Sequence, residues 1–209
     1  MKQKHEFKPI EHIRQLAIDG IEYSDWYSVA QSDIKLVANL AEWEPERLAA
    51  YLALLSPRMA VRRSIRATLT YLGQGQFIRD VLPTIRRSIQ IYEESGVIGG
   101  HKVPYFHDAL LGNPNSVTLD THMATAMLAV ANASVQHFRR KATMAYAIEV
   151  VSAIGDSLGI SPRDCQAAIW CGELERKGQQ PEYFPLVEEY HLWRNTYGGS
   201  FPLSGKIPF

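Results

Sequence analysis

The chain has 209 residues, no formal net charge and 46% hydrophobic residues. This length suits one domain or two small lobes, and the hydrophobic fraction is sufficient for a packed core. A neutral balance argues against a protein that binds polyanions through its overall charge. The two cysteines, Cys165 and Cys171, lack the companions that a metal site requires, so we expect buried free thiols in a reducing compartment.

Hydrophobic residues recur at helical spacing along the first half of the chain. This periodicity predicts helices around residues 10–17 and 26–40. Pro45 suits the first turn of a third helix, because proline needs no hydrogen-bond donor there. Ser56 followed by Pro57 predicts the N-cap and first residue of a fourth helix. A fifth helical stretch is expected over residues 77–95, beginning or interrupted near a proline.

The second half shows the same period and clearer helix ends. A helix of about three turns is predicted over residues 101–111, ended by Gly112. Asp120 is a candidate N-cap for the helix that follows it. Gly159 ends another helix, and Ser161 caps the next one. Because no alternating run of strand type stands out, the predicted fold class is all-α.

The texture of the sequence changes near residue 178. Prolines, glycines and aromatic residues follow without a period, which predicts an extended C-terminal tail packed on the body, with one short helix near residues 186–194. The predicted organisation is therefore a helical domain over residues 1–177, whose lobes surround a central cleft, and a tail over residues 178–209.

Positive charge is concentrated in one stretch of this neutral protein. Residues 57–92 contain seven arginines and a single acidic residue. A local basic face is typical of phosphate binding, although a solvated helix surface explains the charge equally well. The arginines at the start of this stretch are the predicted DNA contacts, namely Arg58, Arg62, Arg63 and Arg66.

A glycine-rich turn, Gly99-Gly100-His101, comes directly before Lys102 and a predicted helix. Glycine permits close backbone approach, and the first amides of a helix have N–H groups that can bind a phosphate. We therefore predict that Gly99, Gly100 and His101 contact a DNA backbone. A tight turn would also select glycine, so this alternative stays open.

Three segments resemble, in order, motifs of the helix-hairpin-helix DNA glycosylase superfamily of the endonuclease III type: "LALLSPRM", "GVIGGHKV" and "VTLDTHMA". A later segment, "DCQAAIWCGE", also resembles that superfamily. The chain is similar as well to an uncharacterised group of phage and actinobacterial proteins. The resemblance implies a two-lobed helical bundle of the glycosylase type.

The resemblance also implies roles for individual residues. Asp120 matches the catalytic aspartate, and Lys102, eighteen positions earlier, matches the lysine of members that also cleave the strand. Arg58 falls where a side chain enters the duplex. His122 and Trp170 are candidate residues lining the site. The alternatives are a simple N-cap for Asp120, a surface lysine near a phosphate for Lys102, and core packing for Trp170.

These expectations combine into a cytoplasmic, DNA glycosylase-like enzyme. It would flip a modified or damaged base out of double-stranded DNA and cleave the N-glycosidic bond, with an added lyase step if Lys102 attacks the sugar. No metal, cofactor or membrane is expected; the initial residues contain no continuous apolar segment of the secretory type. The alternatives are a non-catalytic helix-hairpin-helix DNA-binding module, an enzyme of the same fold that remodels hypermodified phage bases, and a helical protein that dimerises through its tail.

Overall fold

The structure is a computed structural model that describes residues 7–197. In that range it contains ten α-helices, two short 3₁₀ turns and no β-strand, which confirms the predicted all-α class. The helices are α1 Ile10–Asp19, α2 Trp26–Ala41, α3 Pro45–Leu55, α4 Val61–Gln74, α5 Pro83–Ser95, α6 Val103–Leu110, α7 Thr121–Met127, α8 Lys141–Leu158, α9 Pro162–Arg176 and α10 Leu186–Tyr197.

The chain divides into two compact units. Unit 1 comprises the described residues up to Gln31 together with Gly100–Tyr183, and unit 2 comprises Ser32–Gly99 and the described residues from Phe184 onward. One division therefore falls inside α2, and another falls within the segment that the sequence assigns to the tail. The predicted boundary at residue 177 stays a prediction.

Unit 1 is organised around α9, which packs against α1, α7 and α8. The crossing with α1 is unusually close, because a Cβ atom at Gly172 would overlap the carbonyl oxygen of Leu16. Gly20 meets the backbone of Ala168 in the same way. Small residues on both helices therefore allow backbone-to-backbone contact where larger side chains would hold the helices apart.

Unit 2 is organised around α3, which packs against α4 and α5. Every residue from Leu48 to Leu55 in α3 is buried, so this helix is enclosed on all sides. Helix α10 packs against α4 and buries Tyr190 and Trp193. The predicted short helix near residues 186–194 is thus present and extends to Tyr197. The remainder of the predicted tail, residues 198–209, lies outside the described residues.

The predicted start of α4 is wrong. Ser56 is the C-cap of α3, and its hydroxyl donates to the carbonyl oxygen of Ala53 at 2.9 Å. Arg58 then adopts a left-handed backbone conformation with φ of 59°, and α4 begins only at Val61. The Ser-Pro pair resembles a helix start in sequence, but its hydroxyl is engaged with the preceding helix.

Two predicted helix caps are confirmed. The Asp120 side chain accepts a hydrogen bond from the Met123 amide at the start of α7, and the Ser161 side chain accepts one from the Asp164 amide at the start of α9. Both cysteines are buried and free, as expected, and burial raises the pKa of each thiol to about 12. Both thiols are therefore protonated and poorly nucleophilic at neutral pH.

Across residues 7–197, no single helix has the length and apolar composition of a membrane span. Helices α8 and α9 meet those criteria only when taken together, and they are bent by 96° at their junction. The same range contains no group of three or more histidine, cysteine or acidic side chains placed to hold a metal ion.

Candidate functional site

Asp120 lies at the point where a buried extended segment becomes α7. The segment before it, Ser116–Leu119, is buried, whereas Asp120 is only half-buried. One carboxylate oxygen, Oδ1, accepts the Met123 amide hydrogen at 2.9 Å. This bond fixes the carboxylate in one orientation and places it beside the positive end of a helix dipole. Asp120 thus has the cap role that the sequence offered as the alternative to catalysis, and it keeps access to solvent.

A buried tyrosine lies close to this carboxylate. The Tyr27 hydroxyl is 2.7 Å from Gln166 Oε1 and 3.1 Å from Thr118 Oγ1. A phenol has one proton, so Tyr27 donates to Gln166 Oε1, which can only accept, and accepts from the Thr118 hydroxyl. Burial raises the pKa of Tyr27 well above its ordinary value, and the charge of Asp120 acts in the same direction. Tyr27 is therefore a neutral hydrogen-bonding group near Asp120.

Five ring side chains of unit 1 form a continuous series of contacts, which we call the aromatic row. Neighbouring centroids lie 5.0 to 6.3 Å apart along it. Trp170 and His122, at one end, are half-buried, whereas the other three rings are buried. Edge-to-face contacts of this kind stabilise the cluster and fix the ring planes. In order, the members are Phe106, Tyr27, Trp26, Trp170 and His122.

Lys102 lies at the other end of the aromatic row. It is the N-cap residue of α6, and its ammonium group is 5.3 Å from the centroid of the Phe106 ring. Phe106 in turn contacts Tyr27. Lys102 and Asp120 therefore approach the same pair of rings within unit 1. Their predicted catalytic roles stay predictions.

His122 follows Asp120 by two residues and contacts Trp170 with ring centroids 5.9 Å apart. Its Nδ1 atom is buried and has no hydrogen-bond partner. A buried nitrogen without a partner is costly, so such a group in a native fold calls for an explanation such as a water or a ligand. Of the two predicted lining residues, His122 carries this additional feature.

The backbone conformation of the turn explains why it contains glycine. Gly100 has φ of 101°, which residues with a side chain rarely adopt, so the turn itself requires glycine there. A Cβ atom at Gly99 would meet nothing within 4 Å, and Gly99, Gly100 and His101 are all exposed. The surface is accessible, and its contact with a phosphate stays a prediction.

The predicted arginine face lies in unit 2, where most of it is engaged in ion pairs. Arg62 and Arg66 both bind Glu189 of α10, a carboxylate whose side chain is only 1% exposed. Arg62 also pairs with Glu188 at 3.0 Å, and Arg63 pairs weakly with Asp80 at 3.6 Å. Arg62 and Arg66 thus hold α10 against α4, a role that the sequence analysis did not anticipate.

Burial by itself would raise the pKa of the Glu189 carboxyl. Hydrogen bonds and positive charge from Arg66 and Arg62 outweigh burial and hold that pKa below its ordinary value. Arg58 differs from its neighbours on the predicted face, because it is exposed at a turn with a left-handed backbone conformation. Such conformations are uncommon for residues other than glycine and recur at functional positions.

Sequence reasoning missed the polar residues that surround Tyr27. Arg163 is buried, donates to Ser28 at 3.0 Å and lies 5.9 Å from the Tyr27 ring. Gln166, one turn later on α9, is also buried. The available signal was the presence of polar residues on several faces of α9, a helix that also carries many apolar residues. A buried polar side chain needs a partner, but only the fold identifies that partner.

Comparison with known proteins gives a family for the chain. Residues 17–177 match the sequence model of a family of unknown function, DUF7178. The chain belongs to DUF7178. The matched range runs from α1 through the end of α9, so it includes Lys102 and Asp120 but not α10. No curated protein and no solved structure matches the chain.

The identification as a helix-hairpin-helix DNA glycosylase is wrong, because the family found is DUF7178 and no glycosylase family matches. The motifs behind that identification have local causes. Gly100 is required by its backbone angle, and Asp120 caps α7. Turn and cap geometry select the same short motifs in unrelated folds. The all-α class is secure, and the comparisons give no support to the finer glycosylase architecture.

Proposed function

We propose that this DUF7178 protein acts on DNA at the N-glycosidic bond of a modified or damaged base, with Asp120 as the catalytic carboxylate. The proposal does not depend on the family resemblance. It is carried by one observation in unit 1. The half-buried, oriented carboxylate of Asp120 lies near Tyr27 in the aromatic row, and Lys102 lies at the Phe106 end of that row.

The chemistry requires negative charge near the sugar. When the bond from C1′ to the base nitrogen breaks, its electron pair leaves with the base and C1′ becomes positive. The Asp120 carboxylate would stabilise that charge and accept a proton from the water that adds to C1′. Its cap bond to Met123 occupies Oδ1 and holds the group in place, so little reorganisation is needed during the reaction.

Lys102 would supply the optional lyase step. A neutral amine can attack C1′, and the base leaves with the electron pair of its C1′–N bond. The amine then loses a proton, and cleavage of the C1′–O4′ bond, with O4′ taking up a proton, gives the Schiff base that allows the strand to be cleaved. The Lys102 amine lies over the neighbouring Phe106 ring in a cation–π contact, and attack on C1′ would require the side chain to leave that contact. Base release without strand cleavage is therefore the principal expected reaction.

The accessible end of the aromatic row would receive the base. Trp170 and His122 are half-buried, so part of each ring is accessible for stacking. Stacking on aromatic side chains is a general means of holding an unstacked base. Arg58 belongs to unit 2, so its insertion into the duplex stays a separate prediction.

The test is base release from a panel of modified duplexes by the wild type and Asp120→Asn. Asparagine caps helices as well as aspartate, so this variant removes the charge and keeps the fold. We expect loss of product by at least a hundredfold, with DNA affinity and the melting temperature retained. The matched control is Asp108→Asn, an exposed carboxylate in α6, which should behave as the wild type.

Wild-type rates in Asp120→Asn would show that Asp120 is only a cap. The lyase step is tested by borohydride trapping, with Lys102→Arg as control, because arginine keeps the charge over Phe106 but forms no Schiff base. The observed cap bond also favours a second candidate, a non-catalytic DNA-binding module. It predicts no product from any duplex, together with DNA binding that weakens steeply as salt increases.

A further inference from the structure

A cavity of about 420 Å³ opens on unit 2 along α5. This volume is within the range of small-molecule sites in proteins. Its α5 residues include Arg86, Gln90 and Glu93, which are spaced by four and three, and Arg87, which is next to Arg86 and three residues before Gln90. Side chains at those spacings share one helix face. A single surface of α5 therefore presents two guanidinium groups, an amide and a carboxylate to one cavity.

Stacked groups line part of this cavity. The Phe77 ring stacks on Tyr71, with centroids 4.5 Å apart and ring planes 28° apart, and the Arg86 guanidinium lies 5.0 Å from the Phe77 centroid. All three residues line the cavity. Layered flat groups with exposed edges are typical of surfaces that bind another flat group.

The Glu93 carboxylate is oriented by two phenols. Tyr51 and Tyr71 both donate to Oε1 of Glu93, each at 2.8 Å. Burial raises the pKa of Tyr71 to about 12, and the Glu93 hydrogen bond acts in the same direction. Both hydroxyls therefore stay protonated at neutral pH. Because the two phenols share Oε1, Oε2 is the oxygen directed to other donors.

The two arginines are exposed, and each has N–H groups beyond those used within the protein. Arg86 uses Nε to donate to the Val81 carbonyl at 3.1 Å, and Arg87 uses Nη1 to donate to Gln90 at 2.9 Å. A guanidinium has five N–H groups, so these single bonds orient it without exhausting it. Adjacent, oriented guanidinium groups are well suited to a phosphate.

The cationic and acidic ends of the cavity are separated along the helix. Arg86 and Glu93 are seven residues apart, which is about 10 Å at the rise of an α-helix. We propose that the cavity binds a nucleoside monophosphate unit. Its phosphate contacts Arg86 and Arg87, its base lies against the edge of the Tyr71–Phe77 stack, and an amino group of the base donates to Glu93.

This inference is independent of the proposed function, because all residues that form the cavity belong to unit 2 and Asp120 belongs to unit 1. The same chemistry is offered by a free nucleotide and by the 5′-phosphorylated end of a DNA strand. Both contain a phosphate, a sugar and one accessible base.

Calorimetric titration of the full chain tests the proposal with the four ribonucleoside 5′-monophosphates and their nucleosides. We expect saturable binding of one nucleotide per chain, and at least tenfold weaker binding of the nucleosides. The adenosine, cytidine and guanosine monophosphates, which carry an exocyclic amine, should bind more tightly than uridine monophosphate. Glu93→Gln should reduce that preference.

Arg87→Gln should lower nucleotide affinity at least tenfold and leave nucleoside affinity unchanged. The matched control is Arg194→Gln, which removes an exposed arginine of α10 outside the cavity and should bind as the wild type. Competition by a 5′-phosphorylated oligonucleotide, but not by its 5′-hydroxyl counterpart, would assign the site to strand ends. Absence of that competition, with nucleotide binding intact, would assign it to free nucleotides.

Three outcomes would overturn the proposal. They are no saturable binding of any nucleotide, wild-type affinity in Arg87→Gln, and displacement by inorganic phosphate alone at the concentration at which nucleotides bind. The last result would mean that the base contributes nothing. Thermal unfolding of each variant verifies that it is folded before it is titrated.

Discussion

Helices α1 and α10 are each packed on one main partner, α9 in unit 1 and α4 in unit 2, but by different means. Helix α1 approaches α9 through glycine, with backbone against backbone at Gly172. Helix α10 is attached to α4 through a buried carboxylate, Glu189, that receives two arginines. The first contact depends on shape and the second depends on charge.

The difference determines how each contact can fail. A contact made by shape fails when a side chain is enlarged, and it does not depend on protonation. A contact made by a buried ion pair fails when one partner is removed, because the other charge stays in a low-dielectric environment. The two units should therefore respond differently to matched substitutions and to acid.

The largest expected effect comes from replacing Arg62 and Arg66 together with alanine. This change leaves the Glu189 carboxylate buried without its partners, and breaking a buried pair typically costs about 3–5 kcal/mol. Urea unfolding should show a loss of that size. Arg63→Ala is the matched control, since its pair with Asp80 is exposed and should contribute less than about 1 kcal/mol.

A third substitution sharpens this result. Adding Glu189→Leu to the double variant removes the buried charge and should recover a large part of the lost stability. If the double variant is as stable as the wild type, the ion pairs do not hold α10. If the double variant is destabilised as expected, removing all the arginines of this face would lower stability as well as test DNA binding, so Arg62 and Arg66 should be kept in a DNA-binding test.

Gly172→Ala should be the next most damaging change. The added methyl group would overlap the Leu16 carbonyl, and neither backbone can move without displacing α1 from α9. We expect a loss of about 3 kcal/mol, the upper end for overpacking. Gly99→Ala is the control, because nothing lies within 4 Å of its Cβ position. Equal stability of the two variants would contradict the close crossing.

Acid should weaken the α10 contact. A carboxyl whose pKa is lowered in the folded state, as for Glu189, stabilises the fold fully above its unfolded pKa and ceases to do so as the pH falls through its folded pKa. The free energy of unfolding should therefore decrease as the pH is lowered below the ordinary pKa range of carboxyl groups. Tryptophan fluorescence in a protein that keeps Trp43 and Trp193, with Trp26 and Trp170 replaced by phenylalanine, reports on α10.

The comparison with Glu189→Gln isolates that group. Glu173 in unit 1 is also buried, and although burial opposes it, hydrogen bonds from Arg176 and Lys177 lower its pKa to about 2. Its contribution is also lost in acid and is common to both proteins. The fall in stability should be shallower in Glu189→Gln. An identical pH dependence in the two proteins would show that protonation of Glu189 does not weaken the α10 contact.

The smallest expected effect is at the Asp120 cap. Asp120→Ala removes the bond to the Met123 amide and should cost about 1 kcal/mol, whereas Asp120→Asn should cost almost nothing. Thermal unfolding of both variants measures the difference. If asparagine is as destabilising as alanine, the charge of Asp120 itself stabilises the fold. The activity of Asp120→Asn would then have to be measured at a temperature where the variant is fully folded.

Local signals predicted much of the fold. The helical period gave the all-α class, and the caps at Asp120 and Ser161 were found because a side chain and an amide three residues later suffice to form them. The start of α4 was missed because the hydroxyl of Ser56 donates to Ala53 of the preceding helix. The sequence Ser-Pro does not show whether the serine will bond to the helix before it or to the helix after it.

The candidate site was predicted only in part. Lys102, Asp120, His122 and Trp170 stand in recognisable local motifs, and in the structure each of them belongs to the aromatic row or lies near one of its rings. Tyr27 itself was missed, because its partners come from segments 91 and 139 residues away. No local pattern encodes such distances.

The sequence by itself determined the all-α class, the caps at Asp120 and Ser161 and the concentration of arginine on α4, because each of these depends on residues within a few positions of one another. Tertiary structure alone decided that two of those arginines serve α10, and that Glu93 meets two tyrosines at a cavity. A buried charge or hydroxyl must find a partner, and which partner it finds depends on how distant segments pack.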